Sequence, residues 1–288
     1  EANSGIASLA FSPDDALRNK AKRLISIFIG MENGAPIQKS LPLLRVFHKL
    51  GVRYITLTHN GDNEIADSAS QGQRWHGLSP FGREVVAEMN RLGMIIDVAH
   101  ASDETFYDVL EYSRAPIVST HSCCRALAHH RRNMSDEMLR ALADKGGVIQ
   151  INFYPVFLSD AFAKTLADSG LESKSWTEQD WINDPLNPEK AAAWNAVLDE
   201  FAALPRPSYK DVVDHIDHAV KVAGIESVGI GTDFDGIEVT PAGLENISKI
   251  GVIFDEMSSR GYTDDQIEKV AGKNFLRVFN DVTSLTAK

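Results

Sequence analysis

GMIIDVAH at residues 93–100 and APIVSTH at residues 115–121 are the two segments that decide the fold. Each is a short, mostly apolar run, rich in β-branched residues, that ends on a histidine, which is the pattern of a buried parallel strand. The last residue of such a strand lies at the active-site face of a barrel or an open α/β sheet. Because neighbouring strands end side by side, we expect His100 and His121 to meet, as the imidazoles of a metal site do.

Strand-like and helix-like segments alternate along the chain. The predicted strands are Leu24–Gly30, Arg53–Thr58, Met94–Ala99, Pro116–Thr120, Gly147–Phe153 and Ser227–Gly231. The predicted helices are Ser40–Leu50, Pro80–Leu92, Ser102–Ser113, Ser135–Lys145 and Tyr209–Ala223. Repeated βα units indicate a parallel sheet. We therefore expect one α/β domain over residues 1–288, of the (β/α)8 TIM-barrel type.

Two irregular regions interrupt this alternation. Residues 61–77 form a polar loop after a strand, and residues 154–207 contain three tryptophans and several prolines. An insertion on the C-terminal side of a barrel strand hangs over the active site, so residues 154–207 are predicted to form a lid-like wall. A surface subdomain without a catalytic role is the alternative.

Charge and composition exclude some functions and leave the compartment open. The net charge of −11 argues against nucleic acid as a partner, since phosphate binding needs a basic face. No apolar run reaches the ~18 residues of a membrane span. Cys123 and Cys124 are adjacent and are predicted to be small core residues. Because the chain starts at Glu1, we expect a trimmed N-terminus; a cytoplasmic protein and a periplasmic or secreted one with a removed signal both fit.

Acidic and imidazole side chains collect at the predicted strand ends, where a barrel brings them to one face. They are Glu32, His59, His100, His121 and Asp233. A lone strand-end histidine is commonly a structural residue, but two imidazoles with a carboxylate are ligands that suit zinc. Asp233 would take and return a proton. His59 is interpreted as a ligand, as a donor to a substrate oxygen or as a structural residue.

Arg131 and Arg132 follow the strand that ends at His121. Such a charge run is usually a solvated surface. At this position, however, one arginine could hold a carboxylate through two parallel hydrogen bonds.

Several motifs in a fixed order resemble the membrane (renal) dipeptidases, peptidase family M19, of the metal-dependent amidohydrolase-like barrels. The matching stretches are GMENG at 30–34, LGVRYITLTHN at 50–60, ADS at 66–68, EMNRLGMIID at 88–97, STHS at 119–122, RRN at 131–133, GGV at 146–148, GIGTDFDG at 229–236 and GKNFLRVF at 272–279. The resemblance covers the chain from Ile27 to Phe279.

The resemblance implies a zinc-dependent dipeptidase of the membrane-dipeptidase type (EC 3.4.13.19). It implies two zinc ions bridged by Glu32, with His100 and His121 completing the second site. It also implies that a metal-bridging hydroxide attacks a dipeptide, including one with a C-terminal D-residue. His59 would contact the scissile carbonyl, Arg132 the terminal carboxylate, and Asp233 would be the proton shuttle. Members of the family are often dimers, which makes a homodimer an expectation here.

One departure from the family pattern concerns the first zinc. The family holds that ion with a His-x-Asp pair at the end of the first strand, whereas the thirty-one residues before Glu32 contain no histidine. Six predicted strands also fall short of eight. We therefore expect the first two βα units to be absent from this sequence. The alternatives are a non-catalytic or mononuclear barrel that binds a small amino-acid ligand, and another amidohydrolase-type hydrolase of cyclic amides or esters.

Overall fold

The computed structural model describes residues 3–70 and 73–285 as alternating strands and helices. The strands are β1 Ala7–Leu9, β2 Ile25–Ile27, β3 Ile29–Glu32, β4 Val52–Thr56, β5 Ile95–Asp97, β6 Val118–Ser122, β7 Val148–Asn152 and β8 Val228–Gly231. The α-helices are α1 Pro13–Ala21, α2 Leu41–Lys49, α3 Pro80–Leu92, α4 Asp103–Tyr112, α5 Asp136–Asp144, α6 Pro155–Leu158, α7 Asp160–Ser169, α8 Trp176–Asn183, α9 Pro188–Ala203, α10 Tyr209–Ala223, α11 Gly251–Ser259, α12 Asp264–Glu268 and α13 Asn274–Ser284.

Six strands form one parallel sheet in the order β3-β4-β5-β6-β7-β8. Sequential order with a helix in each crossover is the arrangement of consecutive barrel strands, so the predicted α/β class is confirmed. All six C-terminal strand ends lie along one edge. Within residues 3–70 and 73–285, β7 is the only strand that pairs with β8, so no ladder closes the barrel there.

A short βα unit that the sequence analysis did not predict precedes this sheet. Strand β1 pairs in parallel with β2, and helix α1 connects them. The predicted strand Leu24–Gly30 is accordingly split at Phe28, because β2 pairs with β1 and β3 pairs with β4. A three-residue strand and the largely polar helix PDDALRNKA carry too little periodicity to be recognised.

Serine side chains begin the helices that connect the sheet strands. The hydroxyls of Ser40, Ser79, Ser102, Ser135 and Ser208 accept a hydrogen bond from a backbone N–H in the first turn of α2, α3, α4, α5 and α10. Each cap satisfies a donor that the helix cannot bond internally, which stabilises the helix by about 1 kcal/mol. These five helices begin and end within one residue of the predicted bounds.

Helices α6–α9 form the insertion after β7 and have their own apolar cluster. Its buried members are Phe162, Leu166, Leu171, Trp194, Val197, Phe201 and Val239. Val239 comes from the loop after β8, so the insertion packs against the segment that follows Asp233. None of the described helices is long and apolar enough to cross a membrane.

The two cysteines and one histidine lie in the core of the protein. Cys123 and Cys124 are free and fully buried, as predicted. His215 lies in the predicted helix Tyr209–Ala223, and a histidine in such a helical pattern is predicted to be a surface residue. This prediction is wrong, because His215 is 1% exposed. Its Nδ1 accepts from the Cys124 N–H, and its Nε2 lies 3.2 Å from the Leu158 carbonyl oxygen, which ties α10 to the base of the insertion.

Candidate metal centre and active site

The strand ends deliver the predicted site residues to one edge of the sheet. Glu32 is the last residue of β3, and His121 lies in β6. His59, His100 and Asp233 lie two or three residues beyond the ends of β4, β5 and β8. His100 and Asp233 have φ of 66° and 58°, which non-glycine residues adopt rarely and mostly at functional turns. These sharp turns aim both side chains back over the strand ends.

Glu32 lies at the centre of the cluster. Its Oε1 is 3.0 Å from His100 Nε2, 3.4 Å from His121 Nε2 and 3.9 Å from His59 Nε2. One ligand atom each from Glu32, His100 and His121 lies within 4.8 Å of the other two. His59 is 43% exposed and stacks beside His100 with ring centroids 4.5 Å apart. Its place at the rim suits contact with a substrate as well as structural support.

The donor set suits a divalent metal such as zinc. Imidazole nitrogens and a carboxylate are typical zinc ligands. Burial lowers the pKa of His100 to about 3, so its ring is neutral at pH 7, the form that binds metals. The imidazole of His100 holds the pKa of the Glu32 carboxyl well below its usual value, so it is an anion. His121 Nε2 is buried without a hydrogen-bond partner among the described residues, as expected of a free ligand atom.

A buried hydrogen-bond relay fixes the orientation of His121. Asp97 is fully buried and accepts from the Thr120 hydroxyl at 2.6 Å and from the Thr120 N–H at 2.9 Å. Because that hydroxyl donates its only proton to Asp97, it must accept the 2.8 Å bond from His121 Nδ1–H. This assignment leaves the Nε2 lone pair of His121 facing the Glu32 carboxylate, an arrangement that a cation between them would stabilise.

Thr120→Val tests the relay. The isosteric change removes the acceptor for Nδ1–H, and we expect zinc affinity to fall about 10–100-fold, the usual cost of losing such an outer partner. Titration against a competing chelator measures the affinity, and nitrogen NMR of the metal-free protein reports the tautomer of His121. Thr120→Ser keeps the hydroxyl and serves as the control. Unchanged affinity and an unchanged tautomer in the valine variant would contradict the relay.

Asp233 is positioned by a partner that sequence reasoning missed. Asn152, at the end of β7, donates from Nδ2 to Asp233 Oδ2 at 3.1 Å. Desolvation by burial raises the pKa of Asp233, which favours proton exchange nearer neutral pH. Asp235, the other carboxylate of the same turn, is exposed. Burial and the bond to Asn152 therefore distinguish Asp233 from Asp235.

Arg132 is 6% exposed, whereas its neighbour Arg131 is exposed. Its Nε and Nη1 have no hydrogen-bond partner among the described residues, and its guanidinium lies 5.2 Å from the Phe157 ring centroid. Burial lowers its pKa to about 10, so it remains a cation at pH 7. A buried cation without a carboxylate partner is costly, which indicates a site kept ready for an anionic ligand.

Arg132, Glu32, His100 and Asp233 line one cavity of about 390 Å³. The insertion contributes Tyr154, Val156, Phe157 and Glu172 to its wall, and the loop after β8 contributes Gly236, Ile237 and Glu238. The strand-end chemistry and the buried cation therefore face the same space. A volume of this size accommodates a small molecule.

The family model for membrane dipeptidases, peptidase family M19, matches residues 2–288. The chain belongs to this family. An uncharacterized dipeptidase, C965.12 of Schizosaccharomyces pombe, is 39% identical over 273 residues, which are 92% of this chain and 55% of that protein. Dipeptidase tcpJ of Claviceps purpurea is 34% identical over 97% of this chain and 56% of its own. The chain spans about half the length of the curated relatives it matches.

Solved structures place the fold with the membrane dipeptidases too. The probable dipeptidase PvdM from Pseudomonas aeruginosa superposes with a TM-score of 0.82 at 31% identity, over 98% of this chain and 75% of that one. A metallo peptidase from Rhodobacter sphaeroides, liganded with a phosphinate mimic of the dipeptide L-Ala-D-Ala, has a TM-score of 0.78 over 98% of this chain and 70% of that one. At 23% identity the latter likeness shows the fold alone. The predicted family and barrel-type fold are confirmed.

Sequence reasoning missed the residues that support the site. Asp97 could have been recognised from the sequence, because a carboxylate inside the apolar run IIDVA is buried and needs hydrogen-bond partners. Asn152 carried a weaker one, as an amide at a strand end. Tyr154 and Phe157 carried none, since only the path of the insertion brings them to the cavity.

Proposed function

We propose that the chain hydrolyses the peptide bond of dipeptides, including those with a C-terminal D-residue, with zinc held by Glu32, His100 and His121. The observation that carries the proposal is the cluster of these three ligand atoms, within 4.8 Å of one another. Glu32 and His100 line a cavity together with Arg132, a buried cation that forms no ion pair with a carboxylate among the described residues. Bound zinc lowers the pKa of water and polarises a carbonyl. If two zinc ions bind, Glu32 would be a ligand of the first as well, and no histidine precedes Glu32 in this chain.

The other residues bind the substrate and move protons. Arg132 binds the terminal carboxylate, which orients the scissile carbonyl toward the strand ends. His59 donates to the carbonyl oxygen as negative charge develops there. Asp233 accepts a proton from the attacking water and returns it to the leaving amine. Asn152 holds Asp233 Oδ2 during both transfers.

The lid-like role of residues 154–207 is part of the same proposal. Tyr154, Val156 and Phe157 form an apolar wall beside Arg132, which excludes water from the reacting groups. We propose that this wall belongs to a single domain with the sheet.

A homodimer stays a prediction, which light scattering tests.

Asp233→Asn is expected to lower kcat by about 10²–10⁴-fold with little change in KM, because the amide cannot exchange the proton. The carboxylate form of Asp233 is the base, so wild-type kcat should rise as pH increases through the raised pKa of Asp233. The variant should lack this acid limb. The pH profile of kcat measures it, and Asp235→Asn is the control. An asparagine variant that retains the acid limb would exclude Asp233 as the base.

Elemental analysis combined with dipeptide assays tests the proposed function as a whole. We expect stoichiometric zinc and cleavage of dipeptides such as L-Ala-D-Ala that is lost on chelation and restored by zinc. Metal-free protein that binds dipeptides without cleaving them would instead support the non-catalytic barrel. Cleavage of cyclic amides or esters in preference to dipeptides would support the other amidohydrolase-type reaction.

A further inference from the structure

The cavity that contains Arg132 also contains a half-buried carboxylate without a basic partner. This carboxylate is Glu238, in the loop after β8. The negative charges of Glu178 and Glu172 help to raise its pKa. Within residues 3–70 and 73–285, no lysine, arginine or histidine forms an ion pair with any of these three. The insertion lysines Lys174 and Lys190 are paired with Glu200 and Asp180.

A continuous wall joins Arg132 to Glu238. The Arg132 guanidinium lies 5.2 Å from the Phe157 ring centroid, and the Phe157 and Tyr154 rings are 5.1 Å apart. Tyr154 and Glu238 line the same cavity as Arg132 and Phe157. One end of the wall therefore offers an unpaired cation, the middle offers aromatic surface, and the other end offers an unpaired carboxylate.

This arrangement is complementary to a ligand that carries an anion and a cation joined by an apolar stem. Burial raises the pKa of Glu238, which shows that its carboxylate is poorly solvated. A cation that binds there would restore the lost solvation through a charge-assisted hydrogen bond. Lysine side chains in particular lay their methylenes along apolar surfaces while the ammonium finds a polar partner.

We propose that Glu238 is a specificity-determining residue that selects dipeptides with a cationic side chain on the C-terminal residue. This inference rests on the proposed dipeptidase function, in which Arg132 binds the carboxylate of that same residue. The α-ammonium of the dipeptide is a poorer occupant, because it is two bonds from the scissile carbon and must stay beside the metal centre. The residues that influence the pKa of Glu238 are Tyr154, Glu178 and Glu172, and none of them belongs to the proposed metal centre.

Calorimetric binding of matched dipeptides to the zinc-loaded chain tests the proposal. Ala-Lys and Ala-norleucine share a stem and differ in the ammonium group, so the wild type should bind Ala-Lys about tenfold or more tightly. Glu238→Gln keeps the shape of the side chain and removes its charge, so it should abolish this preference, with both dipeptides bound alike. Glu200→Gln removes a carboxylate of the insertion outside the cavity lining and should leave the preference intact.

Three results would overturn the inference. They are equal binding of Ala-Lys and Ala-norleucine by the wild type, a preference that survives in Glu238→Gln, and a Glu238-dependent preference for Lys-Ala over norleucine-Ala in place of Ala-Lys. The comparison of Ala-Lys with Ala-norleucine is made on the wild type. It therefore still tests the inference if the Glu238→Gln variant misfolds. Binding preference and hydrolysis are separate measurements. Selective binding without cleavage would contradict only the dipeptidase function. Cleavage without selective binding would contradict only the role of Glu238.

Discussion

Replacing Glu32 with glutamine is expected to lower dipeptide hydrolysis roughly a thousandfold or more, which corresponds to about 4 kcal/mol of transition-state stabilisation. The change keeps the shape of the side chain and removes its charge. Glu32 is the carboxylate that both His100 and His121 approach, at 3.0 and 3.4 Å. Its loss therefore weakens zinc binding directly, by more than the 10–100-fold typical of an outer partner. Zinc content after dialysis and kcat/KM measure the two effects.

Glu226→Gln is the matched control for Glu32→Gln. Glu226 is a carboxylate paired with Lys269 at the other end of β8, away from the strand ends. This control should retain zinc and activity. A Glu32→Gln variant that binds zinc and cleaves dipeptides like the wild type would remove Glu32 from the metal centre.

Arg132→Met should weaken the binding of free dipeptides about 30–100-fold and leave C-terminally amidated dipeptides within a few-fold of the wild type. The lost interaction is a charge-assisted pair of hydrogen bonds in a buried site, worth about 2–3 kcal/mol. An amidated substrate has no carboxylate to lose. KM and calorimetric Kd for Ala-Ala and its amide measure the difference.

Arg132→Met should not destabilise the fold, although it weakens substrate binding. Arg132 is 6% exposed, and two of its nitrogens have no partner among the described residues. Methionine replaces the buried charge with an apolar side chain, so the free energy of unfolding should be unchanged or higher. Arg114→Met, at an exposed arginine outside the cavity lining, should alter neither binding nor stability. Equal loss of binding for free and amidated dipeptides would contradict the carboxylate-binding role of Arg132.

The sequence alone predicted the elements whose signals are local. Apolar periodicity predicted α2, α3, α4, α5 and α10, and β-branched runs predicted β4 to β8 and the start of β3. The strand-end residues could be placed together before any coordinates, because parallel strands in sequential order share one edge. The placement of Glu32, His100 and His121 within 4.8 Å of one another follows from that topology.

What the sequence could not show depends on tertiary packing. Arg131 and Arg132 look alike in sequence, and only the fold buries one and exposes the other. His215 looked like a surface residue because Cys124 and Leu158, its partners, are far from it in the chain. Tyr154 and Glu238 meet only because the insertion packs against the loop after β8. The split between β2 and β3 likewise depends on which neighbour each strand finds.

Anomalous diffraction at the zinc absorption edge, from crystals of the zinc-loaded chain, tests the metal centre most directly. The account predicts a strong peak about 2.0–2.2 Å from His100 Nε2, His121 Nε2 and a carboxylate oxygen of Glu32. Removing the zinc with a chelator should abolish the peak and dipeptide cleavage together. A zinc-loaded, active protein whose anomalous peak lies away from these three residues would contradict the account.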